Sequence, residues 1–538
     1  MIFDTEAQKR NRSDGSPQTW VWTTAHEVCI KIQDGTHFSP KNQTSSGKYP
    51  YVTARNVRST GLDLVNLKYL QESDHKAIYR RCDPKKGDVL LVKDGVNTGD
   101  AAINTLDEEI SLLSSVCLLR AHPGILSGNF LRYFLMSPIG AELLRGKMTG
   151  TAIKRIVLAH IKELPVPIAP IAEQERVVDE IEKQFTRLDA ALQSLKRVRA
   201  NLKRYRASVL KAACEGRLVP TEAELARAEG RDYETANKLV QRILKERRAK
   251  WEADRSEKLT AQRRKSKNEE WKKTYLEPSS PNTTDLKQLP EGWLWIRAEQ
   301  LCDFITKGTT PSANKLLNDK GEIPFVKVYN LTHRGELNFS LKPTFISRKT
   351  HCEDLARSKV IPGDVLMNIV GPPLGKVSIV PDTYSEWNIN QAIAVFRPML
   401  SYNRRFLTVS LLADHILSWA VRRSKATAGQ FNLTLEICRD LPLPLPPLSE
   451  QHRIVDEVDR RLSVIEELEA LVAANVKRAE RLRQSILKRA FEGKLIPQDP
   501  NDEPASVLLE RIRAERKPTG ERAVSRERRN GTEKKRRP

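Results

Sequence analysis

The stretch LPVPIAPIAEQERVVDEIEKQ, residues 164–184, defines the architecture of the chain, because nearly the same sequence, LPLPLPPLSEQHRIVDEVDRR, occurs again at 441–461. The two segments align at a constant offset of 277, and 10 of the first 22 positions are identical. The repeat also ends alike, since SVLKAACEGRLVP at 208–220 and SILKRAFEGKLIP at 485–497 share 8 of 13 positions. Such self-similarity indicates a duplicated structural unit.

Each repeat opens with a proline-rich strap. Proline has a fixed φ and no backbone N–H, so it disfavours both helix interiors and central strands. We therefore predict that each strap is extended and enters the following helix at a fixed angle. The prolines are Pro165, Pro167 and Pro170 in the first strap and Pro442, Pro444, Pro446 and Pro447 in the second.

Behind each strap, apolar residues recur at three- and four-residue spacing, which is typical of a coiled coil. The predicted seam consists of Val178, Ile181, Phe185, Leu188, Leu192, Leu195 and Leu202, with Val455, Val458, Leu462, Ile465, Val472 and Val476. Gly216 and Gly493 are the predicted helix stops. A helix from Ala172 to Glu215 is about 66 Å long at ~1.5 Å per residue.

Because the two helices match in length and seam, we expect them to pair antiparallel around an internal two-fold axis. The alternative is that each helix packs on its own neighbouring domain. Apolar residues outside the seam could dock a partner protein or be buried against the domains. They are Val177, Val209, Leu210, Ile454, Ile486 and Leu487.

The regions before the straps, 17–163 and 290–440, also correspond to each other. Both begin with a tryptophan-rich segment, WVWTTAHEVCIKIQDG and GWLWIRAEQLCDFITKG, and KKGDVLLV in the first is similar to IPGDVLMN in the second. Between these anchors the loops differ, as KDGVNTGDAA does from NIVGPPLGKVS. Loops on a rigid scaffold commonly carry recognition, so a duplicated frame with two loop sets predicts two recognition sites.

The charge and cysteine content limit the classes of partner and compartment. A net charge of +23 favours attraction to a polyanion, above all nucleic acid, although a merely soluble basic protein is the alternative. Seven cysteines include no CxxC pair and no histidine at metal-ligand spacing, so we expect neither a metal site nor disulfides. The polar N-terminus and the lack of a long apolar stretch predict a cytoplasmic protein that does not span a membrane.

No catalytic motif stands out in the sequence. There is no phosphate-binding G-x-x-x-x-G-K-[ST] loop, no G-x-G-x-x-G, no serine elbow and no H-E-x-x-H. We therefore expect a binding protein without catalytic residues. Two other classes stay open: a coiled-coil scaffold that does not bind DNA sequence-specifically, and a self-contained methyltransferase or nuclease.

The doubled strap and helix, which ends in EGRL or EGKL and separates two variable regions, resembles the specificity subunit of type I DNA restriction-modification systems. The resemblance covers roughly 17–517. It implies an α+β fold with two mixed α/β target-recognition domains, each with a small twisted sheet, separated by two long antiparallel coiled-coil helices. Each domain would read one half of an asymmetric bipartite site in double-stranded DNA.

The resemblance also implies partner proteins. The helix pair would dock two copies of an adenine methyltransferase subunit, and two translocating restriction subunits would join the larger complex. S-adenosylmethionine, ATP and magnesium would belong to those partners, and this chain would hold no cofactor or metal of its own.

The repeat and the resemblance together predict seven segments. They are a polar N-terminal segment 1–16, recognition domain 17–163, strap and spacer helix 164–220, charged linker 221–289, recognition domain 290–440, strap and spacer helix 441–497, and C-terminal helix with basic tail 498–538. The linker sequence LVQRILKERR is similar to LLERIRAERK near the C-terminus. It is either a further repeated helix packed beside the main pair or a solvated helical linker.

Candidate DNA contacts are polar donors in Gly-rich or polar breaks, since Asn and Gln suit adenine edges while Arg and Lys suit guanine or phosphate. In the first domain they are Lys31, Thr36, His37, Lys41, Asn56, Arg58, Lys93, Asn97, Thr98, Lys154 and Arg155. In the second they are Lys307, Thr309, Thr310, Tyr329, Asn330, His333, Arg334, Asn368, Lys376, Asn390, Gln391, Lys425, Gln430 and Asn432. Each could instead be a loop or capping residue, and the matched Asn56 and Asn330 favour that structural role.

Overall fold

The computed structural model describes residues 17–150, 154–261, 269–399, 401–427 and 430–516. Within these ranges, no helix is long and apolar enough to cross a lipid bilayer.

The chain forms two compact units. The first joins Met1–Leu195 to Ala474–Pro538, and the second is Lys196–Ala473. Both boundaries fall inside long helices, so each long helix contributes residues to both units.

Before the first long helix, the first unit contains eleven strands and five short α-helices among its described residues. The strands are β1 (Val21–Thr24), β2 (Cys29–Asp34), β3 (Tyr49–Val52), β4 (Val57–Arg58), β5 (Gly61–Leu62), β6 (Lys68–Leu70), β7 (Val89–Val92), β8 (Ala101–Ile103), β9 (Ser111–Leu112), β10 (Val116–Ala121) and β11 (Pro165–Ile168). The helices are α1 (Ala25–Val28), α2 (Glu72–Tyr79), α3 (Gly128–Met136), α4 (Pro138–Gly146) and α5 (Leu158–Lys162).

An antiparallel sheet in the order β2-β10-β7-β8 is the centre of this unit. Successive side chains of a strand point to opposite faces. Accordingly, Val89 and Leu91 of β7 join the core beneath α3, whereas Leu90 and Val92 join a second core on the other face. Burial on both faces explains why the sequence VLLV of β7 is continuously apolar. A smaller sheet in the order β6-β3-β9 lies in the same unit, and β3 pairs with β9 in parallel.

Three helices follow the first strap. They are the long helix α6 (Ile171–Cys214), α7 (Glu222–Glu229) and α8 (Ala236–Ala261).

The second unit, which also contains α7 and α8, adds thirteen strands and four further α-helices among its described residues. The strands are β12 (Leu294–Arg297), β13 (Cys302–Lys307), β14 (Leu317–Asn318), β15 (Ile323–Val326), β16 (Gly335–Glu336), β17 (Thr344–Ile346), β18 (Val365–Asn368), β19 (Val377–Ile379), β20 (Asn388–Ile389), β21 (Ile393–Pro398), β22 (Lys425–Thr427), β23 (Gln430–Asn432) and β24 (Pro442–Leu445). The helices are α9 (Ala298–Leu301), α10 (Arg404–Leu412), α11 (Asp414–Arg423) and α12 (Leu435–Asp440). The chain continues with the long helix α13 (Leu448–Phe491) and α14 (Ala505–Arg516).

The second unit repeats the strand arrangement of the first. Its central sheet has the order β13-β21-β18-β19-β16, and its smaller sheet has the order β14-β17-β15-β20, in which β15 pairs with β20 in parallel. The expected α+β fold, with two mixed domains and two long helices, is thereby confirmed. The long helices each have 44 residues, and their first residues, Ile171 and Leu448, keep the sequence offset of the repeat.

Both straps are extended, as predicted, and each forms a two-stranded antiparallel sheet. The first strap, β11, pairs with β1 so that Pro167 lies opposite Trp22. The second, β24, pairs with β12 so that Pro444 lies opposite Trp295. A two-stranded ribbon tolerates prolines because they can stand where no ladder N–H is required. The sequence did not reveal that the tryptophan-rich strand is the partner of the strap.

The repeated glutamine after each strap joins the start of the long helix to the neighbouring domain through hydrogen bonds. The buried Gln174 amide donates to the carbonyl oxygen atoms of Ile125 and Ala169, both at 2.8 Å, and accepts the backbone N–H of Ser127 at 2.9 Å. In the second unit, Gln451 donates to the Pro446 carbonyl at 2.9 Å and accepts the Asn403 N–H at 3.0 Å.

The repeated glutamate before it is also buried. Glu173 accepts the indole N–H of Trp20 at 3.0 Å and the side-chain amide of Gln498 at 2.6 Å. Glu450 accepts the backbone N–H of Glu222 at 2.9 Å. Burial raises the pKa of both carboxyl groups. The Glu-Gln pair is therefore a structural junction, which explains its presence in both repeats.

Gly216 and Gly493 end the long helices, as predicted, with φ of +65° and +66°. A β-carbon on Gly216 would lie 2.4 Å from Pro290 Cγ, and one on Gly493 would lie 2.1 Å from Pro17 Cγ. Both conformation and close packing thus require glycine here.

The two long helices are antiparallel. In the first unit, the guanidinium of Arg483 in α13 lies 4.3 Å from the ring centroid of Phe185 in α6. In the second unit, Arg206 of α6 lies 3.6 Å from Glu466 and 3.5 Å from Glu469 of α13. Partner numbers on α13 fall as those on α6 rise, so the helices run in opposite directions.

The seam residues are either buried or half-buried. Leu188, Leu192, Leu195 and Val476 are half-buried, and the other nine predicted seam residues are buried. Toward the helix ends the seam also joins a domain core: Ile181 shares a core with Phe130, and Val458 shares one with Phe406. Both packing alternatives are therefore correct, because each helix contacts both its partner helix and a domain.

The apolar residues considered for partner docking are buried in these cores instead. This group comprises Val177, Val209, Leu210, Ile454, Ile486 and Leu487. Since a buried side chain is not available to another protein, burial against the domains is the correct interpretation.

Helices α8 and α14 are equivalent and pack into different units. Ala236 and Leu239 of α8 are buried in the core of the second unit. In α14, Ala505 is buried in the core of the first unit, and Leu508 is also buried. This burial favours a repeated helix over a fully solvated linker.

Candidate nucleic-acid interface

The structure sorts the candidate residues of the first domain by exposure. His37, Lys41, Lys154 and Arg155 are exposed, Lys31, Arg58, Asn97 and Thr98 are half-buried, and Thr36, Asn56 and Lys93 are buried.

The three buried candidates are engaged within the protein. The Asn56 side chain accepts the N–H of Thr53 at 3.1 Å and donates to the Asp63 carbonyl at 3.2 Å. Lys93 Nζ lies 3.4 Å from an Asp34 carboxylate oxygen, and the Thr36 hydroxyl accepts a backbone N–H. We therefore remove Thr36, Asn56 and Lys93 from the candidate DNA contacts, because burial and internal bonds leave them unavailable.

In the second domain, half of the candidates whose side chains are described are exposed. Lys307, Thr310, His333, Arg334, Gln391 and Asn432 are exposed, Thr309, Tyr329, Lys376 and Asn390 are half-buried, and Asn330 and Asn368 are buried. The side chains of Lys425 and Gln430 lie outside the described part of the chain.

Asn330 and Asn368 also leave the set of candidate DNA contacts. Asn330 accepts the N–H of Lys327 at 2.9 Å and donates to the Asn338 carbonyl at 3.0 Å, which repeats the turn-closing role of Asn56. Asn368 accepts the Lys376 N–H at 2.7 Å and donates to the Pro373 carbonyl at 2.8 Å. Their amides stabilise loops and do not face solvent.

Two divergent segments meet in each domain and bring several candidates together. In the first domain, Gly95 N–H donates to the Lys154 carbonyl at 3.2 Å, and the Thr98 hydroxyl donates to the same oxygen at 3.0 Å. In the second, Gly371 N–H donates to the Phe431 carbonyl at 3.1 Å. We call these sites the paired-loop edges, defined as 93–100 with 154–155 and 368–376 with 430–432.

Other candidates belong to ion pairs. Arg155 lies 3.1 Å from Asp94, and Arg334 lies 3.1 Å from Glu469 of α13. Lys31 pairs with Asp83. Such surface pairs are weak and can exchange partners, so these residues stay available to phosphate.

The first domain contains a polar cleft of about 760 Å³. Most of its lining residues were not predicted from the sequence. It lies between β3, the β4–β5 hairpin and the segments around them. Its lining comprises Ser39, Gln43, Tyr51, Thr53, Ala54, Arg55, Asn56, Arg58, Asp63, Asn66, Lys68, Leu113 and Ser115. Only Asn56 and Arg58 were candidates. The signal that could have found the others is the polar composition of 53–68, which contains three cations and one carboxylate.

Tyr51 is the most buried of the residues that line this cleft. The residue is 2% exposed, and its hydroxyl has no hydrogen-bond partner within the described part of the protein. Burial raises the pKa of Tyr51 to about 12, so the hydroxyl keeps its proton at physiological pH. A buried, unpaired hydroxyl of this kind costs free energy unless a bound group satisfies it.

Comparison with known proteins defines the class. The family model described as "Type I restriction modification DNA specificity domain" matches residues 17–203 and 290–473, which is more than half of the chain. The two matched regions are the duplicated domains with the greater part of each long helix. The chain therefore belongs to the family of type I restriction-modification specificity subunits.

Individual relatives resemble the chain over nearly its whole length. The type I restriction enzyme EcoBI specificity subunit from Escherichia coli is 25% identical over 485 residues, 88% of this chain and 90% of the relative. The EcoKI specificity subunit from Escherichia coli strain K12 is 22% identical and covers 95% of this chain and 98% of the relative.

A solved structure shows the same fold. It comes from work on complex assembly and conformational transition of the type I restriction-modification system. It matches with a TM-score of 0.60 at 19% identity, over 89% of this chain and 99% of that chain.

Proposed function

We propose that this specificity subunit recognises an asymmetric bipartite DNA site, with one domain for each half-site. The observation that carries the proposal is the pair of domains that share a strand arrangement but differ in loop chemistry. At equivalent positions, the first domain has Arg55 and Arg58 where the second has Tyr329 and Thr332. Different donors on one frame support recognition of two different base sequences.

The two helices of equal length support a fixed spacing between the half-sites. A helical pair resists stretching, so it sets the distance between two recognition surfaces as dimer geometry does in symmetric DNA readers. The net charge of +23 supports a large contribution from phosphate contacts.

The second long helix also offers a surface for protein partners. Val464, Leu468 and Leu471 are 48%, 41% and 58% exposed and lie on one helical face. We assign this face to docking of the methyltransferase subunits, two per complex. The restriction subunits join that assembly. S-adenosylmethionine, ATP and magnesium bind to those partners, and this chain carries no catalytic residues of its own.

Selection from a random duplex library tests DNA recognition. The chain, bound to its methyltransferase partners, should enrich two short sequences separated by a spacer of constant length. Its affinity should fall steeply with salt, because phosphate contacts release counterions. A coiled-coil scaffold without DNA recognition predicts no binding even at low salt, and that result would rule out the proposal.

Docking is tested by Leu468→Asp. The charged residue should prevent co-purification with the methyltransferase partner. Val157→Asp is the matched control, because Val157 is 43% exposed, close to the 41% of Leu468, but lies outside the helix pair. Equal loss of the partner in both variants would contradict the assignment of this face. Binding of S-adenosylmethionine by the isolated chain would contradict its non-catalytic role.

A further inference from the structure

The polar cleft of the first domain has features of a preformed binding site. None of its three cations, Arg55, Arg58 and Lys68, lies within ion-pair distance of a described carboxylate. Arg58 has only a longer-range attraction to Asp100, whose pKa it lowers against the larger, opposite effect of burial. Elsewhere in the same domain cations are neutralised, as Lys93 is by Asp34 and Arg120 by Asp88. A group of unpaired cations around a recess favours a ligand that supplies hydrogen-bond acceptors.

The depth of the cleft adds a second, independent observation. Tyr51 lines the recess and its buried hydroxyl has no hydrogen-bond partner among the described residues, whereas Arg55 and Lys68 are exposed. Arg58 is half-buried in the short β4–β5 hairpin, where Val57 pairs with Leu62 and Arg58 with Gly61. The guanidinium therefore extends from a fixed backbone, and this fixed position reduces the entropy lost on binding.

We infer that this cleft receives the acceptor edge of a guanine base in one half-site, with Arg58 as the principal donor. The inference rests on the proposed function. Guanine presents O6 and N7 side by side in the major groove, and the planar guanidinium of arginine matches this pair with two parallel hydrogen bonds. The neutral Tyr51 hydroxyl suits an uncharged acceptor, and Asn66 and Gln43 add further amide donors at the cleft.

At the positions of the second domain that are equivalent to Tyr51, Arg55 and Arg58, the donors are different. Tyr51 pairs with Ser111 in β9, and its equivalent Phe325 pairs in the same way with Asn388 in β20. Phe325 is fully buried and lacks the hydroxyl. The positions of Arg55 and Arg58 are Tyr329 and Thr332, and the Tyr329 hydroxyl donates to the Lys342 carbonyl at 3.0 Å. Changes in the cleft should therefore alter one half-site only.

The test uses the full chain in complex with its methyltransferase partners. The wild-type motif is first determined by single-molecule sequencing of methylated DNA. Binding is then measured on duplexes in which each base pair of the motif is changed in turn. The variants are Arg58→Ala and Tyr51→Phe, and Lys86→Ala is the control because Lys86 is an exposed cation outside the cleft, paired with Asp107.

We expect Arg58→Ala to relax a single guanine position in one half-site. Its affinity for the matched duplex should fall roughly 5- to 150-fold, the range for one bidentate base contact. Tyr51→Phe retains the ring and should weaken discrimination at the same position by a smaller factor. The other half-site and the Lys86→Ala motif should not change.

Three outcomes would overturn the inference. An unchanged motif in both cleft variants would mean that the cleft reads no base. A uniform loss on all duplexes with a smaller salt slope would identify a phosphate contact. Relaxation of both half-sites would contradict a site confined to one domain. If Arg58→Ala abolishes all methylation, binding of the Tyr51→Phe variant to the same set of duplexes distinguishes these outcomes. A wild-type chain with no bipartite motif would refute the proposed function itself.

Discussion

At the residue scale, the repeated Glu-Gln pair attaches the start of each long helix to its domain. The Gln174 side chain bonds to Ile125 and Ser127, and the Gln451 side chain accepts the N–H of Asn403. Each glutamine thus joins a long helix to a segment that lies about 50 residues earlier in the chain.

Replacing Gln174 with leucine should strongly destabilise the first unit. The change leaves two carbonyl oxygen atoms and one N–H without partners in a buried site. At about 1–3 kcal/mol for each of these three groups, we expect the free energy of unfolding to fall by at least about 3 kcal/mol. Urea unfolding of the purified chain measures it. Gln184→Leu is the control, since Gln184 bonds only to Glu180 on the same helix among described residues. Equal stability of the two variants would contradict the proposed role of Gln174.

A buried histidine also recurs in each domain. His351 is fully buried, and its Nδ1 lies 3.0 Å from the Asn388 amide nitrogen, which must donate to it. Its Nε2 lies 3.6 Å from Glu386. Burial lowers the pKa of His351, and Lys359 lowers it further, while Glu386 partly offsets both effects. His75 makes the corresponding contact with Glu109 at 3.1 Å.

This histidine should make the protein sensitive to mild acid. Because the folded pKa lies below the unfolded value of about 6.5, its contribution is fully present above that pH. It is lost as the pH falls through the lowered folded pKa, by at most ~1.4 kcal/mol per pH unit. Thermal melts at pH 7.5 and 5.5 should show a smaller drop for His351→Gln than for the wild type. Identical drops would show that His351 does not contribute.

At the element scale, the sequence predicted the long helices, their seam and their ends, because periodicity and prolines are local signals. It missed the pairing of each strap with a tryptophan-rich strand, since β-pairing joins residues far apart in the chain. It also left the choice for α8 open. Only tertiary contacts show that α8 and α14 pack in equivalent positions of different units.

The helix ends can be tested with one glycine substitution. Gly493→Ala should destabilise the first unit, because it combines a positive φ with a contact of 2.1 Å to Pro17. Gly230→Ala is a matched control: Gly230 has a φ of +63° and nothing within 4 Å of the added carbon. The control should lose about 1 kcal/mol from backbone strain alone, and Gly493→Ala clearly more. Equal losses of unfolding free energy would mean that the proline contact is unimportant.

The helices can be tested as a ruler by changing their length. Four residues inserted near Leu192 in α6, with four inserted near Arg478 in α13, add about 6 Å while keeping the helices in register. Methylation mapping should then recover both half-sites with a spacer longer by roughly one or two base pairs. Insertion into α6 alone should reduce or abolish methylation, because the seam is out of register. An unchanged spacer in the double insertion would exclude the helices as the ruler.

At the scale of the whole molecule, duplication followed by divergence accounts for most of the observations. The frame of straps, helices and sheets is retained in both halves, whereas the paired-loop edges and the cleft differ. The sequence predicted this architecture through its offset of 277 residues. It could not identify the bases that are read, because base contacts depend on the position of loop side chains against DNA.

The most direct measurement is single-molecule methylation sequencing of DNA from cells that express this chain with its methyltransferase partners. We expect an asymmetric motif of two short half-sites separated by a spacer of constant length. Arg58→Ala and Lys376→Ala should each alter a different half-site. A single continuous motif, or the same half-site altered by both substitutions, would contradict recognition by two separate domains.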